Sequence, residues 1–188
     1  MSGESDPQNQ RAPFRFVFVA IALGLIACWY LLSYHSRAFH GAGAIRDSGV
    51  FSYPRYHVEL DQIPFSEGGE HRFAFTGAPS EEMWLQFDVV GKTARDAQIL
   101  ERLTTQLDVL LSDDQGKVLC AASGTPATRA WILTYSADYA GFYSLSCTNL
   151  QINRRSSYIL RVELKDADAH SPNIFLRPTL LGGGNELP

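Results

Sequence analysis

A run of 19 consecutive uncharged residues, 16–34, constrains this chain more than any other feature of its sequence. The run is rich in Phe, Val, Ile, Leu and Ala, which is typical of a helix that crosses a bilayer. At about 1.5 Å of rise per residue, such a helix is roughly 28 Å long, close to the thickness of the hydrocarbon core. The sequence therefore predicts a single transmembrane signal anchor at residues 14–34.

The segments on either side of the anchor indicate its orientation. Residues 1–13 are polar and lack hydrophobic periodicity, which predicts a disordered cytoplasmic tail. Positive charge does not decide the orientation, because two arginines lie on each side. A short tail on one side and a domain with a candidate disulfide on the other favour a cytoplasmic tail and an extracytoplasmic carboxyl-terminal domain. A bacterial inner membrane, with the domain in the periplasm, fits this arrangement best. A eukaryotic secretory-pathway membrane is the alternative.

Three fates of the apolar run compete. The residues Ala42 to Ala44 resemble a signal-peptidase site but come about ten residues late for a cleaved signal peptide. Leu25 to Cys28 resemble a bacterial lipobox, which would make Cys28 an acylated amino terminus. The apolar run continues past Cys28, however, and an uncleaved anchor explains Trp29, Tyr30 and Tyr34 as an aromatic belt at the outer membrane interface. The uncleaved anchor is the favoured interpretation.

Three small residues in the run, Ala20, Gly24 and Cys28, recur every fourth position and so share one helix face. Small side chains let a second helix approach closely. The stripe predicts a helix-packing face, and the alternative is a helix that faces lipid on all sides.

The rest of the chain is β-like. Residues 35–49 read as a Gly- and Ala-containing linker, 50–182 as an extracytoplasmic domain and 183–188 as a flexible tail. Short β-branched or aromatic runs separated by turn signals predict a mainly β fold, an antiparallel and jelly-roll-like β-sandwich. The predicted strands are residues 56–60, 71–76, 83–90, 107–112, 117–121, 129–135, 141–147, 158–164 and 174–180.

Two positions depart from this pattern. Residues 93–106 place Ala94, Ala97, Leu100 and Leu103 on one face of a short helix. Pro178 lies inside the last run and predicts an edge strand or a strand end, because proline cannot donate a ladder hydrogen bond.

Cys120 and Cys147 each lie in a β-patterned run and are candidates for a disulfide across or between sheets. A closed loop of 28 residues stabilises a fold by roughly 3 to 4 kcal/mol through the lost entropy of the unfolded chain. A bond would place the domain in an oxidising compartment. Two buried free thiols and a redox or metal pair are the alternatives.

Residues 107–124 ("LDVLLSDDQGKVLCAASG") and 134–149 ("TYSADYAGFYSLSCTN") form a recurring unit: a strand, a tight Asp-Gly turn and a later strand opened by an aromatic-flanked glycine. Over about residues 107–164, this unit resembles the GOLD domain of cargo receptors and the bacterial pre-peptidase C-terminal domain. The resemblance implies a binding or assembly module on a β-sandwich and transfers no catalytic residue. The chain departs from the GOLD proteins in having its anchor at the amino terminus.

No catalytic motif is present in the sequence: it has no GxSxG elbow, no HExxH and no phosphate-binding glycine loop. Beyond residue 46, 12 Lys and Arg stand against 18 Asp and Glu, a net charge of −6 that disfavours a nucleic-acid partner. The sequence predicts no enzyme, no cofactor and no metal.

Three weaker binding candidates remain. His57 and His71, with Glu59 or Asp61, would ligate a metal if their strands paired. The acidic turns at residues 113–114 and 166–168 would bind calcium, although "DDQG" is also a favoured hairpin turn. An aromatic platform for a glycan is the third candidate, from Trp84, Trp131, Tyr135, Tyr139 and Tyr143.

These features predict a non-catalytic accessory or assembly subunit whose partners are the lipid bilayer and the integral membrane proteins of a larger complex. The residues predicted to make contact are Ala20 and Gly24 in the bilayer, with Trp29 and Tyr34 at its outer boundary. A membrane-tethered module that binds a glycan or another envelope polymer is the alternative.

Overall fold

The computed structural model of the 188-residue chain describes residues 11–32, 38–48, 54–90, 104–136, 139–167 and 174–183. The chain forms two compact units, Met1–Tyr34 and His35–Pro188. Each unit is described by itself.

The first unit contains one helix, α1 (Arg11–Leu32). It begins at Arg11, three residues before the predicted start and within the predicted tail. Pro13 is compatible with this start because the first turn of a helix leaves its backbone N–H groups unpaired in any case. The apolar side chains described on α1 are exposed, and the large ones are 54–66% accessible: Val17, Phe18, Val19, Ile21, Leu23, Leu25, Ile26 and Trp29. Within the described residues, no helix satisfies the length and hydropathy requirements for a membrane span.

The second unit is built from antiparallel strands. In chain order they are β1 (His40–Gly41), β2 (Ala44–Asp47), β3 (Tyr56–Glu59), β4 (Ile63–Pro64), β5 (Gly69–Thr76), β6 (Glu82–Val90), β7 (Gln106–Asp113), β8 (Val118–Gly124), β9 (Ile132–Ser136), β10 (Tyr139–Tyr143), β11 (Leu150–Gln151), β12 (Ser157–Lys165) and β13 (Phe175–Gly182), with a 3-10 turn η1 (Leu145–Cys147) between β10 and β11.

The strands form two sheets. One has five strands in the order β1-β5-β12-β7-β8, and the other has eight, with β2-β3-β13-β6-β10-β9 as its path and β4 and β11 attached. Eight of these strands form two four-stranded sets, β3-β13-β6-β10 and β5-β12-β7-β8. Successive strands of the eight change sheet at every step except the β7–β8 hairpin, and the first strand pairs with the last. This is the strand order of a double-sheet jelly roll, and the predicted mainly β, sandwich-like fold is confirmed.

The core contains inward side chains from both sheets in one cluster. On β12 every second residue, from Tyr158 to Leu164, is buried, as the period of two in a strand requires. Aromatic pairs strengthen the packing: the ring centroids of Phe75 and Tyr158 lie 5.5 Å apart, and those of Phe87 and Phe142 lie 5.4 Å apart.

The predicted linker, residues 35–49, instead contributes two edge strands: β1 pairs with β5, and β2 pairs with β3. Gly41 and Gly43, the two glycines of this segment that the structure describes, serve close packing in the folded domain. A Cβ atom on Gly41, whose φ is +131°, would lie 2.2 Å from the carbonyl oxygen of Ala74, and one on Gly43 would lie 2.1 Å from that of Glu59. The glycines therefore indicate a tight backbone approach, and the prediction of a loose linker was wrong for these residues.

Pro178 does not lie at a sheet edge. It is in β13, between β6 and β3, opposite Phe87. The Pro178 carbonyl oxygen accepts a hydrogen bond from the Leu60 N–H at 2.9 Å, so this side of β13 faces the break between β3 and β4. The missing N–H of proline is tolerated because no regular ladder runs there.

Two further predictions differ in detail. The run 141–147 is a strand only as far as Tyr143 and then turns into η1, where the Cys147 N–H donates to the Ser144 carbonyl oxygen at 2.9 Å. The helix predicted at 93–106 lies mostly outside the described residues, and β7 already begins at Gln106.

Candidate functional site

A groove of about 390 Å³ lies on the outward side of the five-stranded sheet, and we call it the outer groove. It crosses strands β12, β7 and β8. Its lining comprises Asp108, Val109, Leu110, Ala121, Ala122, Ser123, Arg161 and Glu163.

Strand register explains the shape of the outer groove. Glu163, Asp108 and Ser123 lie opposite one another on β12, β7 and β8, and Arg161, Leu110 and Ala121 form the next row. In each row β12 carries a long side chain, and β8, on the far side of β7, carries a short one. Val109 belongs to the core, and Ala122 is partly buried and packs against it. The difference in side-chain length therefore produces the depression.

Charged side chains continue from the groove across the same face, and we call the set of six the charge ladder: Glu70, Arg72, Asp108, Arg161, Glu163 and Lys165. Arg161 Nη2 lies 2.5 Å from Glu70 Oε2, and Arg72 Nε lies 3.7 Å from the other oxygen of Glu70. Lys165 Nζ binds Asp108 and lies 3.5 Å from Glu163 Oε2. Every member of the ladder thus has an opposite charge beside it.

Asp108 is the best-bonded member of the ladder. Besides Lys165, it accepts hydrogen bonds from Ser123 Oγ at 2.5 Å and Gln106 Nε2 at 3.0 Å. These bonds, that from Lys165 foremost, lower the pKa of Asp108 to about 2, while partial burial opposes them. The bond to Asp108 in turn raises the pKa of Lys165. Both groups are therefore charged at neutral pH.

Arg161 and Glu163 have bonding capacity that the ladder does not use. Among the described residues, the Arg161 guanidinium, with five N–H donors, bonds to one side chain, that of Glu70. The Glu163 carboxylate has Lys165 as its ionic partner. The outer groove can therefore offer donors and acceptors above an apolar floor of Leu110 and Ala121. Across the described part of the chain, no three His, Cys, Asp or Glu side chains are placed to hold a metal ion.

The predicted helix-packing residues all lie on α1. Ala20, Gly24 and Cys28 are exposed, and a Cβ atom added to Gly24 would meet nothing within 4 Å. Cys28 is a free thiol. Of the predicted interface aromatics, Trp29 is exposed; the side chain of Tyr30 and the whole of Tyr34 lie outside the described residues.

The candidate disulfide is present. Cys120 on β8 and Cys147 on η1 are bonded, with Cα atoms 4.9 Å apart, and both are buried. Beside the bond, Ser146 Oγ donates to the Ala121 carbonyl oxygen at 2.7 Å. β8 is the edge of its sheet, so the bond and the hydroxyl fasten η1 against an edge strand that would otherwise expose its backbone.

The strand pairing that the predicted histidine site needs does not form, and one predicted calcium ligand has a role in a turn. His57 and His71 cannot meet across a strand pair, because β3 and β5 belong to different sheets. Asp113 Oδ1 accepts hydrogen bonds from the backbone N–H groups of Gln115 and Lys117 at 3.0 and 2.8 Å, so this carboxylate shapes the β7–β8 hairpin turn. Of the second acidic turn, Asp168 lies outside the described residues.

The two tryptophans of the predicted aromatic platform are separated. Trp131 is in the core, where its ring meets Phe87 and Phe142 edge to face. Trp84 lies on the outward side of the eight-stranded sheet, opposite Leu181, and is only 5% exposed. The side chains of Tyr135 and Tyr139 lie outside the described residues. Trp84 and Trp131 therefore do not form a common exposed surface.

Sequence reasoning missed the outer groove. The polar positions of β7 and β12 alternate with apolar ones, which signals a solvent-facing side but does not tell which strands are neighbours. The register that places Glu163 beside Asp108 joins residues more than fifty positions apart.

A comparison of the chain with protein-family models, curated proteins and solved structures found no match in any of the three.

Proposed function

We propose that this protein is a non-catalytic accessory subunit of a larger integral membrane complex, anchored by α1 with its β-sandwich on the extracytoplasmic side. The observation that carries the proposal is the exposure of the large apolar side chains of α1, at 54–66%. A soluble protein rarely leaves so long an apolar surface in water, because the hydrophobic effect favours covering it. Lipid and partner helices are the covering we propose.

The sequence around α1 supports the anchor. No charged residue interrupts positions 16–34, and the helix continues through Cys28 to Leu32. A lipoprotein would be cut immediately before Cys28, inside this helix and four residues before its last residue. The continuous helix therefore favours an uncleaved anchor over acylation at Cys28.

The disulfide supports the proposed side of the membrane. Buried, bonded cysteines such as Cys120 and Cys147 are typical of domains that fold in an oxidising compartment. In a bacterium this compartment is the periplasm, and the short amino-terminal segment is then cytoplasmic.

The assembly role rests on α1 and on the resemblance to extracytoplasmic β-sandwich modules. Ala20 and Gly24 would let a partner helix approach the α1 backbone closely, while Trp29 and Tyr34 would mark the outer interface. The partners are integral membrane proteins together with the bilayer, and nucleic acid is not among them.

The first experiment tests the anchor. The tagged full-length protein is expressed in its native membranes, and the membranes are washed with alkaline carbonate. We expect the protein in the pellet, with a mature mass that includes the residues before Cys28. Recovery in the supernatant would contradict the anchor, and a mass beginning at a lipid-modified Cys28 would identify a lipoprotein.

The second experiment tests the packing face. The protein is extracted in mild detergent, and co-purifying membrane proteins are quantified by mass spectrometry. Ala20→Leu combined with Gly24→Leu is expected to remove stoichiometric partners, because the added side chains block close helix approach. Ala22→Leu, on the opposite side of α1, is the matched control and should retain them. Equal recovery with both variants would show that this face does not hold the complex.

A further inference from the structure

We propose that the outer groove binds an uncharged, hydroxyl-bearing ligand, namely a saccharide unit of a neutral glycan. This site goes beyond the proposed accessory role and does not depend on it. Its volume, about 390 Å³, is at the lower end of the roughly 300–1,000 Å³ found for small-molecule sites. One or two sugar units are the scale of ligand that such a groove accommodates.

The charges around the groove argue for a neutral ligand. The charge ladder holds three acidic and three basic side chains, each beside an opposite charge, so the face has no net charge. Such a surface produces little field to attract either an anion or a cation. Among the six members of the ladder, none is left without an opposite charge that a charged ligand could pair with.

The hydrogen-bonding groups fit hydroxyls in particular. The Arg161 guanidinium can only donate hydrogen bonds and the Glu163 carboxylate can only accept them, whereas a hydroxyl group can do both. The two residues are separated by one position on β12, so their side chains leave the same face of the strand. Adjacent ring hydroxyls can therefore accept from Arg161 and donate to Glu163, while Leu110 and Ala121 contact the C–H face of the ring.

The alternative of a bound peptide strand fits this place less well. Strand addition needs free backbone groups at a sheet edge. The groove lies on the face of the sheet, and along it β7 is paired on one side with β12 and on the other with β8. Side chains, and not backbone ladders, are therefore what the groove presents.

The test uses the full-length chain in a detergent without a sugar headgroup. The probes are neutral tetrasaccharides of glucose, mannose and N-acetylglucosamine, with tetragalacturonate and tetraglucosamine as charged counterparts, and binding is measured by saturation-transfer NMR and calorimetry. We expect at least one neutral probe to bind more tightly than both charged probes. Preferred binding of a charged probe, or no binding of any probe, would overturn the proposal.

Two variant pairs locate the site. Ala121→Gln fills the groove and should weaken binding by about tenfold or more, equivalent to roughly 1.4 kcal/mol. Ala74→Gln makes the same change on the same face, at an exposed position of β5 outside the groove, and should leave affinity within about twofold. Arg161→Ala and Arg72→Ala form the second pair: both side chains lie beside Glu70, but only Arg161 lines the groove.

Arg161→Ala is expected to weaken binding by about tenfold, because a donor to the ligand is lost, and Arg72→Ala to leave it nearly unchanged. Far-UV circular dichroism checks that all four variants are folded. Equal affinities within both pairs would overturn the assignment of the groove. Loss of the membrane partners in the Ala20 and Gly24 variant has no bearing on sugar binding, so the two proposals fail separately.

Discussion

The outward faces of the two sheets differ in how they treat polar and apolar side chains. The five-stranded sheet presents the charge ladder and the outer groove to water, and its strands alternate between buried and accessible residues. The eight-stranded sheet buries residues on its outward side too: Trp84 is 5% exposed, and Thr179 is fully buried. One sandwich thus has one outward face that is open to solvent and one that is covered around Trp84 and Thr179.

The same hydrogen bond occurs on both faces, which makes the comparison informative. On the eight-stranded sheet, Thr179 Oγ1 donates to Asp88 Oδ2 at 2.7 Å, with Gln86 Nε2 donating to the other oxygen at 2.8 Å. On the five-stranded sheet, Ser123 Oγ donates to Asp108 Oδ1 at 2.5 Å. A hydroxyl-to-carboxylate bond that is buried away from water contributes more to the free energy of unfolding than an exposed one, because its loss leaves a buried carboxylate oxygen unpaired. Burial, and not the chemistry of the bond, should therefore decide how much more the Thr179–Asp88 bond stabilises the fold than the Ser123–Asp108 bond.

The largest effect is expected on the covered face. Trp84→Ala should lower the free energy of unfolding by about 3–5 kcal/mol, because a large buried side chain is removed. Arg72→Ala, an exposed change on the other outward face, should stay within about 0.5 kcal/mol. Denaturant unfolding followed by far-UV circular dichroism measures both. Similar small losses for the two variants would show that Trp84 is accessible and that the faces are alike.

The paired hydroxyls give an intermediate effect. Thr179→Val keeps the shape of the buried side chain and removes its bond to Asp88, with an expected loss of about 1.5–3 kcal/mol. Ser123→Ala removes the matching bond to Asp108 on the open face and should cost less than about 1 kcal/mol, because water replaces the hydroxyl. The same unfolding measurement compares them. Equal losses would remove the argument that burial distinguishes the two bonds.

The smallest effect concerns pH on the open face. Asp108 has its pKa lowered to about 2 in the folded state by its bonds to Lys165, Ser123 and Gln106, against about 3.9 for an unfolded aspartate. Its contribution is therefore complete above about pH 5 and is lost as the pH falls towards 2. Because the group is partly exposed, we expect a contribution of only about 1 kcal/mol.

The Asp108→Asn variant tests this prediction. The unfolding free energy of the unchanged protein should fall between pH 5 and pH 2.5 by about 1 kcal/mol more than that of the variant. Adding 1 M salt should bring the two proteins closer together, because salt screens the Asp108–Lys165 pair. An identical pH dependence in both proteins would mean that Asp108 is not held ionised by its neighbours.

Much of the fold could be predicted from local pattern. Each of the nine predicted runs contains a strand, because alternation and turn residues act within a few positions of one another. The hairpin at Asp113 followed from its turn chemistry, in which the carboxylate binds the next backbone N–H groups. The glycines of the supposed linker were misread, because a flexible segment and a tight backbone approach share the same composition.

The candidate site could not be predicted in the same way. Glu70, Asp108 and Glu163 are widely separated in the chain and come into one row only through the register of β5, β12 and β7. A shift of one residue in any pairing would send these carboxylates to the opposite face. The burial of Trp84 was equally hidden, because an aromatic residue in a strand has the same sequence signature on either face.

The sequence by itself determined the uncharged amino-terminal run, the mainly β character of the remainder and the two cysteines able to bond, because each depends on composition or spacing along the chain. Tertiary structure alone decided which strands are neighbours, which outward face is covered and where the groove lies. Those properties depend on pairings between distant segments, which register fixes and local sequence does not encode.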